Sequence, residues 1–181
     1  MENAYERFLE GDERALLELI REYREGLTMF LTSYVHDLNT ADELCGEVFI
    51  QLVLKKPKFR GGSSFKTFLY GVGRNLALQY LRHNKNQKTV TFEDNSEIVS
   101  DANPVHAVLD DERKIALHRA LGKIKREYAE ALWLTYFEEL SIKEIARIMK
   151  KSPSAVKSLS HRAKQALKAE LEKEGFSYED L

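Results

Sequence analysis

The sequence predicts an all-α fold built as two small helical domains. Apolar residues recur at intervals of three and four, strand-like alternation is missing, and residues 86–103 hold no sustained periodicity. The chain has 181 residues, of which 43% are hydrophobic and 31% charged, and this composition is typical of an ordinary folded protein. We therefore expect two helical lobes joined by a flexible linker.

Two long helices are predicted at the start of the chain. Residues 12–35 carry one apolar stripe, and Asp12 stands where an N-cap is expected. After a break at residues 36–39, Thr40 is expected to cap a second helix that ends at Pro57.

A third helix follows a Gly-Gly-Ser-Ser turn at residues 61–64. Ser63 or Ser64 is expected to cap this helix, which runs to about Asn84. Its spacing predicts a buried stripe of Phe65, Leu69, Val72, Leu76 and Tyr80. The same spacing predicts that other residues of this helix lie nearer the outside, namely Lys66, Thr67, Tyr70, Arg74 and Arg82.

The second module, residues 104–174, contains a helix-turn-helix pattern. Ser141 and Glu144 form a capping box that starts a short helix. A turn made by two lysines follows, and a longer helix then begins at Pro153 and stops at Gly175. In such motifs the second helix enters the major groove of DNA and contacts base edges near its N-terminal end. Residues on the opposite side of this second helix from its buried stripe are expected to face DNA. They are Ser154, Lys157, Ser158, His161 and Arg162.

Charge is strongly segregated along the chain, although the net charge is only -1. Nine bases and no acid lie between Val48 and Phe92, and seven bases and no acid lie between Ile145 and Ala169. Seven acids and no base lie between Glu93 and Glu112. An ordinary solvated face mixes both signs, so the two acid-free blocks indicate a polyanion partner at each.

Several classes of protein are not supported by the sequence. No apolar run approaches the roughly 20 residues that a membrane span needs, and no signal peptide is present, so we expect a cytoplasmic location and no stable membrane insertion. Cys45 is expected to be a small buried core residue, and no metal or cofactor is predicted. The Walker, HExxH and nucleophile-elbow patterns are missing, so an enzyme is not expected.

With both modules interpreted, the chain resembles the extracytoplasmic-function (ECF) group of bacterial RNA polymerase sigma factors, which keeps only the second and fourth sigma domains. The resemblance rests on three segments in their order and spacing: Ala41–Val53, ADELCGEVFIQLV; Phe59–Arg82, FRGGSSFKTFLYGVGRNLALQYLR; and Ala131–Lys168, which contains the helix-turn-helix. It implies a domain 2-like bundle over residues 1–88, an acidic linker over 89–104 and a domain 4-like helix-turn-helix over 105–181.

The resemblance also implies partners and sites. Core RNA polymerase would bind through its β′ clamp and β flap, and an anti-sigma factor is an expected further partner. The β′ clamp would contact Asp42, Glu43, Glu47 and Phe49. The melted minus-10 strand would be read by Arg60, Ser63, Ser64, Lys66, Phe68, Tyr70, Arg74, Asn75, Gln79 and Arg82. The helix-turn-helix residues above would read the minus-35 duplex.

Some positions depart from the family pattern or allow two interpretations. Gly46 stands where Gln is usual, Val53 where Trp is usual, and Lys150 where the turn usually has glycine. Phe65 fits core packing, whereas Phe68 fits either core packing or base stacking.

The alternative function is a helix-turn-helix transcription regulator whose N-terminal lobe senses a signal or dimerises. This alternative leaves the first basic block unexplained.

Overall fold

The computed structural model describes residues 2–58, 64–88, 112–173 and 175–176, and these residues form eight helices and no strand. The helices are α1 (Glu2–Leu9), α2 (Glu13–Val35), α3 (Leu38–Lys55), α4 (Phe65–Lys88), α5 (Glu112–Lys123), α6 (Arg126–Tyr136), α7 (Ile142–Met149) and α8 (Pro153–Lys173). The chain divides into two compact units, Met1–Asp101 and Ala102–Leu181. The predicted all-α class is confirmed, whereas the predicted linker, residues 89–104, lies outside the described residues.

Local capping explains where α2 and α3 begin. The Arg14 amide donates to the Asp12 carboxylate at 2.9 Å, so the predicted cap of α2 is confirmed. The predicted cap of α3 was wrong: Asp37 caps this helix, and the Thr40 amide donates to its carboxylate at 2.7 Å. This hydrogen-bonding with Thr40 stabilises the charged form and lowers the pKa of Asp37.

Helix α4 packs into the first unit through a wide buried arc. Its start is capped as expected, because the Thr67 amide donates to Ser64 Oγ at 3.2 Å. Gly73 lies where α4 meets α2, and a Cβ built there would stand 3.0 Å from Leu27 Cδ1. Because Leu27 is fully buried, this close approach favours glycine at position 73.

The second unit has its own core. Helices α5, α6 and α8 contribute the buried cluster Ala116, Ala120, Leu121, Ala129, Leu132, Ala163, Leu167 and Leu171. The chain ends its long helix as predicted: Gly175 has φ +81°, and the Phe176 amide donates to the Leu171 carbonyl at 3.0 Å.

The helix-turn-helix geometry also matches its sequence signals. Both hydrogen bonds of the Ser141–Glu144 capping box are present at the start of α7. The Ala155 amide donates to Ser152 Oγ at 3.2 Å at the start of α8. Lys150 joins the helices with φ 55° and ψ 45°, so a lysine occupies the left-handed conformation that glycine adopts without cost.

Candidate nucleic-acid and polymerase interface

One face of α4 points away from the core of the first unit. At about 100° per residue, Phe68, Asn75, Gln79 and Arg82 fall within roughly 60° of one another. Gln79 and Arg82 are exposed, whereas Phe68 and Asn75 are half-buried. This face combines an aromatic ring, two amide side chains and a guanidinium, which are groups that stack on bases, hydrogen-bond base edges and contact phosphate.

Tyr70 does not share this face, and the prediction that it lies near the outside was wrong. Its side chain is only 1% exposed and packs edge-on against Phe30 of α2, with ring centroids 5.2 Å apart. Thr67, also expected outside, is buried. A ring held in this core cannot stack on a nucleotide, so Tyr70 supports α4 instead.

Three other predicted members of this group lie at the start of α4 or on its other sides, and Lys66 falls roughly 140–180° around the helix from the exposed face. The Lys66 ammonium stands 6.0 Å from the centroid of the Tyr70 ring, in the first turn of α4. Arg74 is half-buried at the edge of the exposed face. Ser64 caps α4, and its hydroxyl lies 2.9 Å from that of Thr67. The predicted strand-contacting residues Arg60 and Ser63 lie outside the described residues.

The face of α8 selected from the sequence is exposed along its length. Ser154, Lys157, Ser158, His161 and Arg162 are all exposed, while Val156, Leu159 and Ala163 point into the core. The Arg162 Nε donates to the Ser158 carbonyl at 3.3 Å, which directs the guanidinium back toward the start of the helix. A basic, hydroxyl-bearing helix face of this kind suits the major groove.

Helix α3 presents a mixed acidic and apolar stripe. Glu43 and Glu47 are exposed, but Phe49 is only 7% exposed and belongs to the core, so its assignment to a partner surface was wrong. The stripe continues instead through Ile50, 58% exposed, and Leu54, 78% exposed. These two residues were not selected from the sequence, although Ile50 lies three residues after Glu47 and Leu54 four residues after Ile50, a spacing that places all three on one helix face.

Asp42 differs from the other acids of α3 because it is already paired. Arg24 of α2 reaches it with Nη2, which donates to Oδ1 at 2.9 Å and to Oδ2 at 2.8 Å. The hydrogen bond to Asp42 raises the pKa of Arg24. Both oxygens of Asp42 accept from a cation, whereas neither Glu43 nor Glu47 forms an ion pair with any residue in the described part of the chain.

The second unit also exposes apolar side chains near its helix-turn-helix. Tyr136 and Phe137 at the end of α6, and Ile142 at the start of α7, are exposed. The Phe137 ring stacks on Trp133 with centroids 4.3 Å apart, so its orientation is set by a buried neighbour. These three residues were not predicted from the sequence.

The described residues lack two other kinds of site. None of their helices combines the length and the apolar character that a bilayer span requires. No group of three or more potential metal ligands of the His, Cys, Asp and Glu types occurs among them. Cys45 is buried, as expected, and burial raises the pKa of its thiol.

Comparison with known families matches both units. The sigma-70 region 2 family matches residues 19–87, and the sigma-70 region 4 family matches residues 114–167. The first range contains the α3 stripe and all of α4 but its last residue, and the second contains α7 and α8 as far as Leu167.

Individual relatives agree with these matches. The chain is 30% identical to the RNA polymerase sigma-H factor of Pseudomonas aeruginosa over 90% of this chain and 89% of the relative. It is 31% identical to the ECF RNA polymerase sigma factor SigM of Bacillus subtilis over 84% of this chain and 92% of the relative. A solved structure of the sigma factor RpoE with the anti-sigma factor NepR from Bartonella quintana shares the fold, with a TM-score of 0.68 and 20% identity over 86% of this chain and 95% of that chain. The two family matches and the nearly full-length relatives establish that this chain belongs to the ECF group of the sigma-70 family of RNA polymerase sigma factors.

Proposed function

We propose that this alternative sigma factor divides promoter recognition between its two units and acts in the cytoplasm without a catalytic step of its own. The observation that carries the proposal is the pair of exposed, acid-free helix faces, one on α4 and one on α8, on separate compact units. The first unit also carries the acidic and apolar stripe of α3, which suits a protein partner. We place the functional boundaries at residues 1–88, 89–104 and 105–181.

In this proposal the exposed face of α4 holds the melted minus-10 strand. The Phe68 ring stacks on a base, a contact worth about 1–3 kcal/mol in single-strand complexes. Asn75 and Gln79 offer amide donors and acceptors to base edges, and Arg82 offers a cation to phosphate. The remaining members of the proposed minus-10 surface are Arg60, Ser63, Ser64, Lys66 and Arg74.

The exposed face of α8 reads the minus-35 element as duplex DNA. Lys157 and Arg162 neutralise phosphates or contact guanine edges. Ser154, Ser158 and His161 form hydrogen bonds with base edges or with the DNA backbone. Binding through such cations releases counterions, so affinity falls steeply as salt rises.

The stripe of α3 binds the β′ clamp of core polymerase. Glu43 and Glu47 supply charge, and Ile50 and Leu54 supply apolar surface that is otherwise left in water. Phe49 supports the stripe from inside, and Asp42 contributes through its pair with Arg24. The exposed Tyr136, Phe137 and Ile142 provide the second unit with a comparable surface for the β flap.

An anti-sigma factor is a further proposed partner. Each unit exposes apolar side chains that such a protein would cover. They are Ile50 and Leu54 on the first unit and Tyr136 and Phe137 on the second. Since these are also the surfaces proposed to bind polymerase, an anti-sigma factor would compete directly with core polymerase. Adding excess core polymerase should therefore displace it, and a stable ternary complex would contradict this assignment.

The general proposal is tested by transcription from fragmented genomic DNA of the source organism. Core RNA polymerase is used with and without this protein, and RNA 5′ ends are mapped. New start sites that share two upstream elements are expected. If no starts appear while the protein alone binds duplex DNA specifically, the regulator interpretation replaces the sigma factor interpretation for this chain.

The division of labour is tested with two variants that should fail differently. Arg74→Ala should reduce open-complex formation about tenfold and leave the affinity for core polymerase near wild type, because Arg74 borders the proposed strand surface. Leu54→Asp should reduce core affinity about tenfold, because it places a charge in an apolar contact. Permanganate reactivity of promoter thymines measures opening, and fluorescence anisotropy measures core binding. Equal losses of both activities in both variants would contradict the assignment.

A further inference from the structure

Gly46 leaves a gap in the side-chain surface of α3 that the packing of the first unit does not require. It is exposed in the interior of an 18-residue helix, where glycine is less favourable than alanine. A Cβ built at Gly46 meets no described atom within 4 Å. Gly73 of α4 differs, because the Leu27 side chain occupies the space next to its Cβ position. Contacts within the fold therefore account for the glycine at position 73 but not for the glycine at position 46.

The gap at Gly46 separates an acidic part of the α3 stripe from an apolar part. Residues three and four positions apart are neighbours on a helix surface, so Gly46 is bordered by Asp42 and Glu43 before it and by Ile50 after it. Ile50 is 58% exposed, and Val53, which follows it on the same side, is 37% exposed. Asp42 is paired with a cation of α2, whereas Glu43 forms no ion pair within the described part of the chain. The gap is therefore apolar at one end and bordered by an unpaired carboxylate at the other.

A long cationic side chain complements both ends of this gap. Lysine and arginine cover apolar surface with their aliphatic stems and keep the charge at the tip. A stem lying along α3 from Ile50 would bring that charge beside Glu43, and it would pass directly over position 46. Glycine alone places no Cβ in that path, so a partner can approach the backbone of the helix closely.

We propose that Gly46 is a specificity-determining residue for core polymerase: it leaves the space in which a lysine or arginine of the β′ clamp lays its stem against Ile50 and its charge beside Glu43. This proposal rests on the proposed function of the α3 stripe. It adds the chemistry of the group that the stripe receives, and it assigns Gly46 no role in contacting promoter DNA.

The test fills the gap with side chains of increasing size. Gly46→Ala and Gly46→Leu both introduce better helix formers, so neither substitution should unfold α3. Gly122→Ala is the matched control, because Gly122 is also an exposed helical glycine whose built Cβ meets no described atom within 4 Å, but it lies in α5 of the second unit. Glu43→Gln removes the carboxylate charge and keeps the size of the side chain.

Fluorescence anisotropy measures the affinity of each full-length variant for core polymerase, and circular dichroism during heating measures stability. Gly46→Ala should lower core affinity about tenfold, within the range for a methyl group added to a packed contact. It should also raise the Tm of the first unit by about 4–8 °C, because alanine favours the helix. Gly46→Leu should lower core affinity further, whereas Gly122→Ala should bind core polymerase as the wild type does.

A double variant tests whether one partner side chain contacts both positions. If the same lysine or arginine touches Gly46 and Glu43, the loss of affinity in Gly46→Ala with Glu43→Gln should be smaller than the product of the two single losses. A loss equal to that product would show that the two positions bind different groups, and the assignment of one cationic side chain would be wrong.

The outcomes separate this proposal from the proposed function beneath it. If the wild-type protein does not bind core polymerase, the proposed function fails and this proposal falls with it. If the wild type binds core polymerase but Gly46→Ala binds equally well or better, the proposal for Gly46 alone is overturned. It is also overturned if Gly122→Ala loses as much affinity, or if Gly46→Ala loses stability in parallel with affinity, because position 46 would then matter only to the fold.

Discussion

Replacing Lys150 with glycine should stabilise the helix-turn-helix unit. Lys150 has φ 55° and ψ 45°, and its backbone amide closes the end of α7 by donating to the Ala146 and Arg147 carbonyls. A residue with a Cβ pays about 1–2 kcal/mol for this left-handed conformation, whereas glycine does not. Glycine in turn loses more backbone entropy on folding, by roughly 0.5–1 kcal/mol. Removing the lysine charge from the end of α7 costs about 0.3 kcal/mol more.

The balance favours Lys150→Gly over the wild type by about 0.5 kcal/mol. Lys150→Ala is the informative comparison, because it removes the same charge but keeps the backbone strain. Glycine should exceed alanine by about 0.8 kcal/mol in unfolding free energy, which corresponds to about 3–6 °C in Tm for a unit of this size.

The assay uses the single tryptophan of the chain. Trp133 is buried in the second unit, so its fluorescence reports the unfolding of that unit in the full-length protein. Lys56→Gly is the matched control, since Lys56 also adopts a left-handed conformation, at the end of α3 in the other unit. That substitution should leave the tryptophan transition unchanged. If Lys150→Gly and Lys150→Ala unfold at the same temperature, backbone strain at Lys150 is not a significant cost.

Three further predictions concern other parts of the chain. Arg162→Ala should weaken binding to minus-35 duplex DNA and reduce the slope of log affinity against log salt by about 1. Anisotropy titrations at several salt concentrations measure this slope. An unchanged slope would show that Arg162 neutralises no phosphate. Gly46→Ala should stabilise the first unit by about 1 kcal/mol, because a Cβ there meets nothing within 4 Å and alanine favours the helix. Circular dichroism during denaturation would detect the change, and destabilisation would contradict the prediction. Raising the pH should destabilise the first unit as Tyr5 ionises. Burial raises the pKa of Tyr5 from 10.0 to about 12, so the stabilisation is complete below pH 10 and is lost as the pH rises to 12. Tyr5→Phe should reduce this alkaline loss, and an identical pH profile in that variant would refute the assignment to Tyr5.

Elements with strong local signals were predictable from the sequence. The start of α2 at Asp12, the capping box at Ser141 and the end of α8 before Gly175 each depend on residues within a few positions of the boundary. The error at the start of α3 had the same local origin. Asp37 and Thr40 are both good caps three residues apart, and the side chain that accepts the bond is Asp37.

Burial that depends on distant helices was not predictable in this way. Tyr70 is polar enough for a surface, but Phe30, forty residues away in the chain, provides its partner ring. Phe49 follows two glutamates, so the sequence alone did not separate the core side of α3 from its exposed stripe. Helix α1 was missed because its eight residues are too few for sustained periodicity.

The contact between Gly73 and Leu27 has a consequence for exchanging parts between relatives. Helix α4 carries most of the proposed strand-reading residues, so it is the natural segment to transplant when promoter preference is to be altered. A donor helix with alanine at the Gly73 position would bring its Cβ to 3.0 Å from Leu27 Cδ1 and would displace a fully buried side chain of α2. The two helices should therefore be grafted as a pair, and chimaeras that exchange α4 alone should keep glycine at this position.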